Sequence, residues 1–493
     1  MVRHERDNTT PRRGLLILAA GAALTLACGD DGGREESDAS TAGASASDTY
    51  AGSTTAGGNT DGGSDGSQSG SDTNATSTSS TGADTSTDAS TDDPSAGTTS
   101  PGTSSTTQGV ESESDTDTDT DTDTDTGEGC NGGGGGNLDF SYIWVANSAE
   151  GTASKINTVN MIEEGRYIVR PDSAGNPSRT SVNLRGDVAV ANRAGGVSKI
   201  AARVEDCVDL NNNGVIDSST GKFDVRPWGV EECVVWHAPL AQFNVMRPMA
   251  WSAGELNMQS CEYEGQLAWT TGAVANVNGS VVALALDGDT GEIVHEIPVP
   301  ELAVTWAGPY GGAVDANNDF WFHSRDAAPF PLVHIDSQTL EYTIHNVPAP
   351  VNPYGITVDT SGRVWLAGYM GAIGRFNPAD QSWATSGYTG LGIQEDAAGR
   401  MWIAKYPWQA TGAWGLDVET MELVAEIDLT GTAVSSRGIS IDFEGNVWVV
   451  EDGARAFRVD VENNNQWEVY EGLTGAYTYS DMTGWGLKNI IPE

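Results

Sequence analysis

The chain has few basic residues: 25 lysines and arginines stand against 69 aspartates and glutamates, giving a formal net charge of −44 at pH 7. This excess of negative charge repels phosphate backbones, so the composition argues against a nucleic-acid-binding protein, whose affinity depends on lysine and arginine. Beyond the first 28 residues no apolar run approaches the roughly 20 residues that a transmembrane helix needs. We therefore expect no nucleic-acid partner and no membrane-spanning segment in the mature protein.

The sequence also lacks the common catalytic motifs. Its only G-x-S-x-G match, residues 62–66, lies in the low-complexity segment described below, and it contains no phosphate-binding loop, no H-E-x-x-H and no C-x-x-C. Among its six histidines, His323 is the most notable because Ser324, Arg325 and Asp326 follow it directly. Neighbours on a strand point to opposite faces, so this run does not by itself form a serine–histidine–aspartate relay. We assign no catalytic residue, and a metal-dependent lyase or hydrolase is kept as the alternative function.

Residues 1–28 have the features of a bacterial export signal. A basic stretch that includes Arg12 and Arg13 precedes the apolar run "GLLILAAGAALTLAC". Its end, "LTLAC", resembles a lipobox and predicts Cys28 as a lipid anchor, the alternative being cleavage near Ala27. "PRRGLL" resembles a twin-arginine signal, which leaves the export route open. We expect an outer-membrane or cell-surface lipoprotein, or otherwise a periplasmic or secreted protein.

Residues 29–137 consist almost wholly of serine, threonine, glycine, alanine and aspartate, followed by a glycine run. Between residues 29 and 129 lie 22 acidic residues, one arginine and one aromatic residue, Tyr50. Such a segment buries too little apolar surface to offset its chain entropy, and its charges repel one another. We predict a disordered acidic linker, either a stalk that lifts a domain off a membrane or a solubilising tail.

From residue 138 to residue 493 a short apolar strand, usually centred on tryptophan, recurs seven times. The aligned positions are separated by 45, 79, 53, 44, 37 and 46 residues. These positions are Trp144, Ala189, Ala268, Trp321, Trp365, Trp402 and Trp448. A repeat near 45 residues is typical of a β-propeller, and the spacing of 79 predicts an insertion, which we place at residues 203–264.

The unit that begins at residue 354 contains four short strands, "YGITVD", "RVWLAG", "AIGRFN" and "QSWATSG", joined by tight turns. Four strands per unit predict an all-β, seven-bladed β-propeller. We expect the tryptophans to form the cores of the blades. We also expect the tail "YSDMTGWGLKNI", residues 479–490, to add a strand to the first blade and so close the ring.

The segment "PYGITVDTSGRVWLAGYMGAIGRFNPAD" resembles the repeat of the virginiamycin B lyase (streptogramin lyase) family and, more loosely, NHL and YVTN repeats. The resemblance implies a seven-bladed propeller and a magnesium-assisted elimination that uses glutamates and a histidine near the channel. Where lyase repeats place a carboxylate, this chain has Ser324, Gly368, Lys405 and Glu451. Only one copy keeps the carboxylate, so we do not transfer the lyase activity.

The insertion contains "DLNNNGVID", in which oxygen-bearing side chains alternate up to a glycine turn. The spacing resembles calcium loops of EF-hands, dockerins and thrombospondin type 3 repeats, and it predicts a weak structural calcium site. The predicted ligands are Asp209, Asn211, Asn213, Val215 through its carbonyl, and Asp217. Thr220 occupies the place of the EF-hand glutamate, so Asp206, Glu231 or Glu232 must supply the missing ligand. The alternative is an asparagine-rich turn that binds nothing.

Five cysteines are present, and lipidation of Cys28 would leave four for disulfides in an oxidising compartment. We favour Cys207 with Cys233, because they bracket the calcium-type loop. Elimination then pairs Cys130 with Cys261.

Binding is the function that we favour from the sequence. Loops that enter the channel include "TWAGPYGG", "VNPYG" and "VSSRG", which contain Trp306, Tyr310, Tyr354 and Arg437. Ligands of propellers commonly dock at one mouth of the channel, so we predict these four residues as a binding site for a glycan, a peptide or an envelope protein. We expect a monomer that meets the membrane through its lipid anchor alone.

Overall fold

The computed structural model describes residues 141–407, 410–479 and 481–491. The predicted signal peptide, Cys28, the linker and Cys130 lie outside the described residues. Within them the chain forms 29 strands and one six-residue helix. None of the described helices is long and apolar enough to cross a membrane.

The strands form seven antiparallel sheets, which are the blades of a propeller. The first three blades contain β1 Tyr142–Asn147, β2 Thr152–Asn157 and β3 Glu163–Ile168; β4 Pro177–Val182, β5 Val188–Asn192, β6 Val197–Ile200 and β7 Val234–Ala238; and β8 Met249–Trp251, β11 Leu267–Gly272, β12 Val282–Asp287 and β13 Ile293–Pro298. A separate hairpin, β9 Glu255–Asn257 and β10 Glu262–Glu264, interrupts the third blade after β8.

Blades four to seven are regular, and their strands pair in chain order. They contain β14 Pro309–Val314, β15 Phe320–Ser324, β16 Pro331–Ile335 and β17 Tyr342–Asn346; β18 Pro353–Val358, β19 Val364–Gly368, β20 Ile373–Asn377 and β21 Ser382–Ser386; β22 Gly390–Glu395, β23 Arg400–Lys405, β24 Gly412–Asp417 and β25 Leu423–Asp428; and β26 Gly438–Ile441, β27 Val447–Val450, β28 Arg455–Asp460 and β29 Gln466–Glu471. The predicted seven-bladed fold is confirmed.

A single aspartate organises the first turn of blades four to seven. In the seventh blade, one carboxylate oxygen of Asp442 accepts the backbone N–H groups of Glu444 and Asn446, and the other accepts the indole N–H of Trp448 at 2.8 Å. The same aspartate–tryptophan bond, six residues apart, recurs three times, as Asp315–Trp321, Asp359–Trp365 and Asp396–Trp402. The carboxylate therefore holds the turn between the first two strands and the orientation of the indole together.

Each of these indoles packs onto the next blade in the ring. Trp365 of the fifth blade belongs to the apolar cluster of the sixth blade, beside Ile393 and Ile403. Trp448 of the seventh blade packs in the same way against Ile143 and Val145 of the first. All five aligned tryptophans are at most 1% exposed, as expected for blade cores. The tryptophans therefore join the blades as well as filling them.

The C-terminal segment closes the ring. The backbone N–H of Trp144 donates to the carbonyl of Met482, and the N–H of Tyr477 donates to the carbonyl of Ala146. Residues 475–479 and 481–482 thus run antiparallel to β1 and supply the innermost strand of the first blade. The prediction of a closing strand is correct for this part of the tail, but Trp485–Ile490 forms a helix, α1, and not a strand.

The range 203–264, predicted as one insertion, is divided in the structure. It includes β7 and β8, which are regular strands of the second and third blades, so two separate excursions flank them. The first covers residues 203–233 and begins with a 3-10 turn at Val204–Asp206; the second is the β9–β10 hairpin. The sequence pattern did not separate them because β8 is only three residues long.

Cys207 and Cys233 form a disulfide that ties the first excursion at its base, which is the pair favoured from the sequence. Cys261 is also disulfide-bonded. Its expected partner, Cys130, lies outside the described residues.

We predict that Asp442→Asn lowers the free energy of unfolding by about 2–3 kcal/mol, because an amide N–H₂ would face the indole N–H of Trp448 inside the protein. The free energy can be measured by urea denaturation followed by far-ultraviolet circular dichroism. Asp289 lies on an exposed turn, and Asp289→Asn is the matched control, expected to change stability by less than about 0.5 kcal/mol. Equal stabilities of the two variants would contradict the role of the aspartate–tryptophan bond.

Candidate functional site

Three of the four predicted ligand-binding residues meet at one end of the ring. Tyr310 and Tyr354 are the second residues of β14 and β18, and Arg437 directly precedes β26. Because the first strands of the blades run in the same direction, their starting ends surround the same opening. The ring centroids of the two tyrosines lie 5.0 Å apart, and Nη1 of Arg437 donates to the hydroxyl of Tyr354 at 2.5 Å.

The closing segment completes this group with two tyrosines that the sequence analysis did not select. The hydroxyl of Tyr477 lies 3.0 Å from the hydroxyl of Tyr310 and 2.9 Å from that of Tyr354. The ring of Tyr479 stacks on that of Tyr310 at 5.8 Å. These residues were missed because they lie more than 100 positions along the chain from their partners, in a tail interpreted only as a closing strand.

Five arginines surround the four tyrosines, and we call the nine residues the arginine–tyrosine cluster. Each guanidinium lies over at least one of the four rings, at 4.1 Å from Tyr477 for Arg193 and at 4.7 Å from Tyr310 for Arg325. The members are Arg179, Arg193, Arg247, Arg325, Arg437, Tyr310, Tyr354, Tyr477 and Tyr479. They come from six of the seven blades, at the starts of first strands or the ends of second strands, which are adjacent in antiparallel pairs.

The cluster is graded from a buried floor to a partly open rim. Arg179, Arg437 and Tyr354 are fully buried, and Tyr310 is 1% exposed. The sequence analysis placed Tyr310, Tyr354 and Arg437 at an open mouth, whereas the structure places them in the floor beneath it. Arg193 and Arg325 retain partial exposure and form the rim.

Trp306, the fourth predicted residue, does not belong to the cluster. It is 50% exposed, on a loop whose backbone N–H groups from Thr305 to Gly308 all donate to the carboxylate of Asp326. The neighbouring Ala307 packs into the same apolar core as Tyr310. Trp306 therefore offers an exposed indole beside the rim.

The charges of the cluster shift the ionisation of its tyrosines. Burial raises the pKa of Tyr310, but the nearby guanidiniums of Arg247, Arg325 and Arg179 outweigh burial and lower the pKa to about 7. Burial also lowers the pKa of Arg179, to about 10. Tyr310 is therefore the member of the cluster whose ionisation is expected near neutral pH.

The C-terminal segment fills the channel behind the cluster. The carbonyl of Asp481 accepts from Thr180 of β4, and its carboxylate accepts from the amide of Gln394 of β22. At the far end, the indole N–H of Trp485 in α1 donates to the carbonyl of Glu395. A cavity of about 40 Å³ remains between this segment and the first strands. A ligand that docks on the mouth therefore does not pass through the ring.

The side chains considered as candidate catalytic groups make hydrogen bonds or ion pairs within the protein. His323 is buried, its Nε2 lies 2.9 Å from the carbonyl of Tyr354, and burial lowers its pKa to about 3, so it stays neutral. The carboxylate of Asp326 holds the Trp306 loop. Glu451, the one retained carboxylate of the lyase-type repeat, is paired with Arg455 at 2.8 Å. All three groups are thus engaged in contacts within the protein.

The predicted calcium ligands lie together in the first excursion. The carboxylate of Asp217 lies 2.9 Å from the amide of Asn211 and 3.0 Å from that of Asn213. Asp209 accepts the backbone N–H of Gly214, whose φ of 81° gives the sharp turn. The side chain of Val215 is exposed. The four side chains thus lie close together in one small region.

The candidates for a further calcium ligand have other roles. Glu232 accepts backbone N–H groups of Leu210 and Asp217, and Glu231 accepts that of Ser219. Asp206 is paired with Arg185 and Arg203. Of the three carboxylates, Glu232 therefore holds the backbone of the loop 209–217, and Glu231 and Asp206 contact residues outside it.

A second group of possible metal ligands, Asp315, Asp319 and His334, lies in the fourth blade. Asp315 accepts the indole N–H of Trp321, and Asp319 lies 2.9 Å from Nε2 of His334. These residues form the local variant of the aspartate–tryptophan turn, so we assign them a structural role.

No family model matches the chain, and no curated protein matches it. Among solved structures, the chain is similar to virginiamycin B lyase from Staphylococcus aureus, with 18% identity over 60% of this chain and 84% of the lyase and a TM-score of 0.41. It is similar to BamB from Moraxella catarrhalis, with 13% identity over 69% and 88% of the two chains and a TM-score of 0.38. For AztD from Citrobacter koseri the identity is 10% over 69% and 97%, with a TM-score of 0.43. These similarities concern the fold, which the strand pairing above defines.

We predict that one tyrosine ionises near pH 7 in the native protein and that Tyr310→Phe removes this step, because the guanidiniums lower the pKa of Tyr310 to about 7. Ultraviolet difference absorbance of tyrosinate, recorded across a pH titration, measures it. Tyr342 lies outside the cluster, so Tyr342→Phe is the control that keeps the step. Absence of any tyrosine ionisation below about pH 9 in the wild type would refute the prediction.

Proposed function

We propose that the chain is an exported, lipid-anchored binding module of the bacterial cell envelope, whose partner docks on the cluster end of the propeller. The observation that carries this proposal is the convergence of polar and aromatic side chains from six blades on one opening, in front of a channel that the chain itself fills. A mouth without a passage behind it suits recognition of an extended partner better than turnover of a substrate inside the ring.

The neighbouring surface supports docking. Trp306 is half exposed next to the rim, and exposed indoles contribute strongly to interfaces with peptides, proteins and glycans. The partner that we propose is a peptide, a glycan or an envelope protein. Because the candidate catalytic groups described above are engaged in structural contacts, the geometry favours binding over the alternative lyase or hydrolase.

The remaining parts of the proposal come from the sequence. Lipid on Cys28 would hold the chain at a membrane, and the acidic segment 29–137 would set the propeller at a distance from it. The linker and the propeller are both negatively charged, so both would be repelled by the anionic headgroups of membrane lipids.

We further propose that the loop 209–217 binds calcium and stabilises the first excursion, with Asp209, Asn211, Asn213, the carbonyl of Val215 and Asp217 as ligands. Two formal charges among the ligands suit the weak range of about 10⁻⁴–10⁻³ M. Support comes from the convergence of the four side chains. Ile216 packs against the apolar core of the second blade and so fastens the loop to the ring.

For calcium, we expect about 10 mM of the ion to raise the free energy of unfolding by about 1.4–2.7 kcal/mol relative to excess EGTA, as the expected affinity implies. Differential scanning calorimetry measures this, and Asp217→Ala should remove the difference. Magnesium at the same concentration is the ionic-strength control. A melting temperature that does not change between calcium and EGTA would count against the site.

For partner binding, we expect Trp306→Ala to reduce capture of envelope components at least about tenfold, as the loss of an interface tryptophan typically does. The full chain, immobilised and incubated with a solubilised envelope fraction, provides the measurement, with captured components quantified by mass spectrometry. Trp467 is similarly exposed, 43% against 50%, but lies on the outer strand of the seventh blade, so Trp467→Ala is the matched control. If both variants retain the same components as the wild type, the partner does not dock at this end.

A further inference from the structure

We propose that the arginine–tyrosine cluster is a binding site for an oxyanion, a carboxylate or a phosphate group, held between the rim arginine Arg193 and the floor arginines Arg179 and Arg437. This inference deepens the proposed function, on which it rests, because it assigns the chemistry of the group that the partner presents to the mouth.

The first argument is an imbalance of charge. The protein as a whole is strongly acidic, yet five of its 25 lysines and arginines lie in this one cluster. Arg437 is paired with Asp452, but Arg179 and Arg193 have no carboxylate partner among the residues that the structure describes. Buried cations without a counter-ion are strongly unfavourable. An anion from outside the chain would relieve this cost.

The second argument is the presence of donors without acceptors. Nε of the fully buried Arg179 has no hydrogen-bond partner within the described part of the chain, while its Nη1 and Nη2 donate to Ser178 and to the carbonyl of Tyr310. Nε of Arg437, which is also fully buried, has no partner there either. At the rim, Nε and Nη2 of Arg193 complete a set of four such donor atoms. Native proteins rarely bury donors without a partner, so the set indicates a ligand with several acceptor atoms.

The chemistry of the donors selects the ligand class. Guanidinium groups bind carboxylate and phosphate oxygens through paired, charge-assisted hydrogen bonds. The hydroxyls of Tyr310, Tyr354 and Tyr477 form a chain of two hydrogen bonds. These two bonds use two of the three hydroxyl protons, so the third proton can be donated to a ligand. A neutral ligand would leave the positive charge uncompensated, so a neutral glycan fits this floor less well than an acidic one.

One group of the chain itself competes with the proposed ligand. The low pKa of Tyr310 means that its phenolate is an internal counter-ion near neutral pH. The phenolate carries a single oxygen and already contacts Tyr477, so it does not satisfy the separated donors of Arg179, Arg437 and Arg193. Ligand binding should therefore favour the protonated form of Tyr310.

The purified full chain tests the proposal without any partner. Its melting temperature and its heat of binding are measured with inorganic phosphate and with succinate, each against sodium chloride at equal ionic strength. We expect saturable stabilisation by at least one of the two oxyanions, and the oxyanion that binds more tightly identifies the ligand class.

Arg193 is a rim residue whose replacement leaves the floor intact, and Arg193→Gln should weaken oxyanion binding about tenfold or more. The matched control is Arg226→Gln, which removes a partly exposed arginine of the first excursion and should leave the affinity unchanged.

Two results would overturn the proposal. The first is that neither oxyanion stabilises the protein beyond sodium chloride, which would assign charge compensation to Tyr310 alone. The second is that Arg193→Gln and Arg226→Gln bind the oxyanion equally. Failure here is distinct from failure of the proposed docking function, since Trp306→Ala tests partner capture on an exposed residue outside the cluster.

Discussion

The fold depends on a short carboxylate-to-indole hydrogen bond repeated in four blades. One oxygen of the aspartate holds a tight turn, the other holds the tryptophan, and the tryptophan packs on the following blade. Burial raises the pKa of Asp315 and of Asp442, while the hydrogen bonds to each carboxylate oppose that shift. In these four blades the same carboxylate therefore contributes both to the local turn geometry and to the association with the next blade.

The ring gives the candidate site its composition. Seven first strands begin around one opening, so residues near their starting ends meet at the same surface, whatever their distance in sequence, and six of the seven blades contribute to the cluster. The far end of the channel is filled by α1 and residues 481–484, which form hydrogen bonds to β4, β22 and β26. The same C-terminal segment that closes the ring also supplies Tyr477 and Tyr479 to the site. Stability and recognition therefore share a segment of about fifteen residues in this protein.

Much of the fold could be predicted from the sequence, because its determinants are local. All seven aligned positions, from Trp144 to Trp448, lie on the second strand of their blades, and the turns with aspartate and glycine are visible as short patterns. The loop 209–217 and the disulfide around it are local as well.

The site was predicted only in part. Tyr310, Tyr354 and Arg437 were named from the sequence. Arg179, Arg193 and Arg247 were not, because arginines scattered along the chain show no periodic pattern. Their convergence is a property of ring closure, which no single repeat encodes. The division of residues 203–264 was missed for the opposite reason, since a three-residue strand is too short to be distinguished from a loop.

The closing hydrogen bonds connect Ala146 with Tyr477, a contact that spans nearly the whole propeller. Joining such distant points carries a large loop-closure entropy and is slow, whereas each blade can assemble from neighbouring residues. During synthesis the first blade must wait, with one edge unpaired, until the final residues have left the ribosome. An exposed edge of this kind invites pairing with a second nascent chain. The acidic segment ahead of the propeller carries like charges that would keep two such unfinished chains apart.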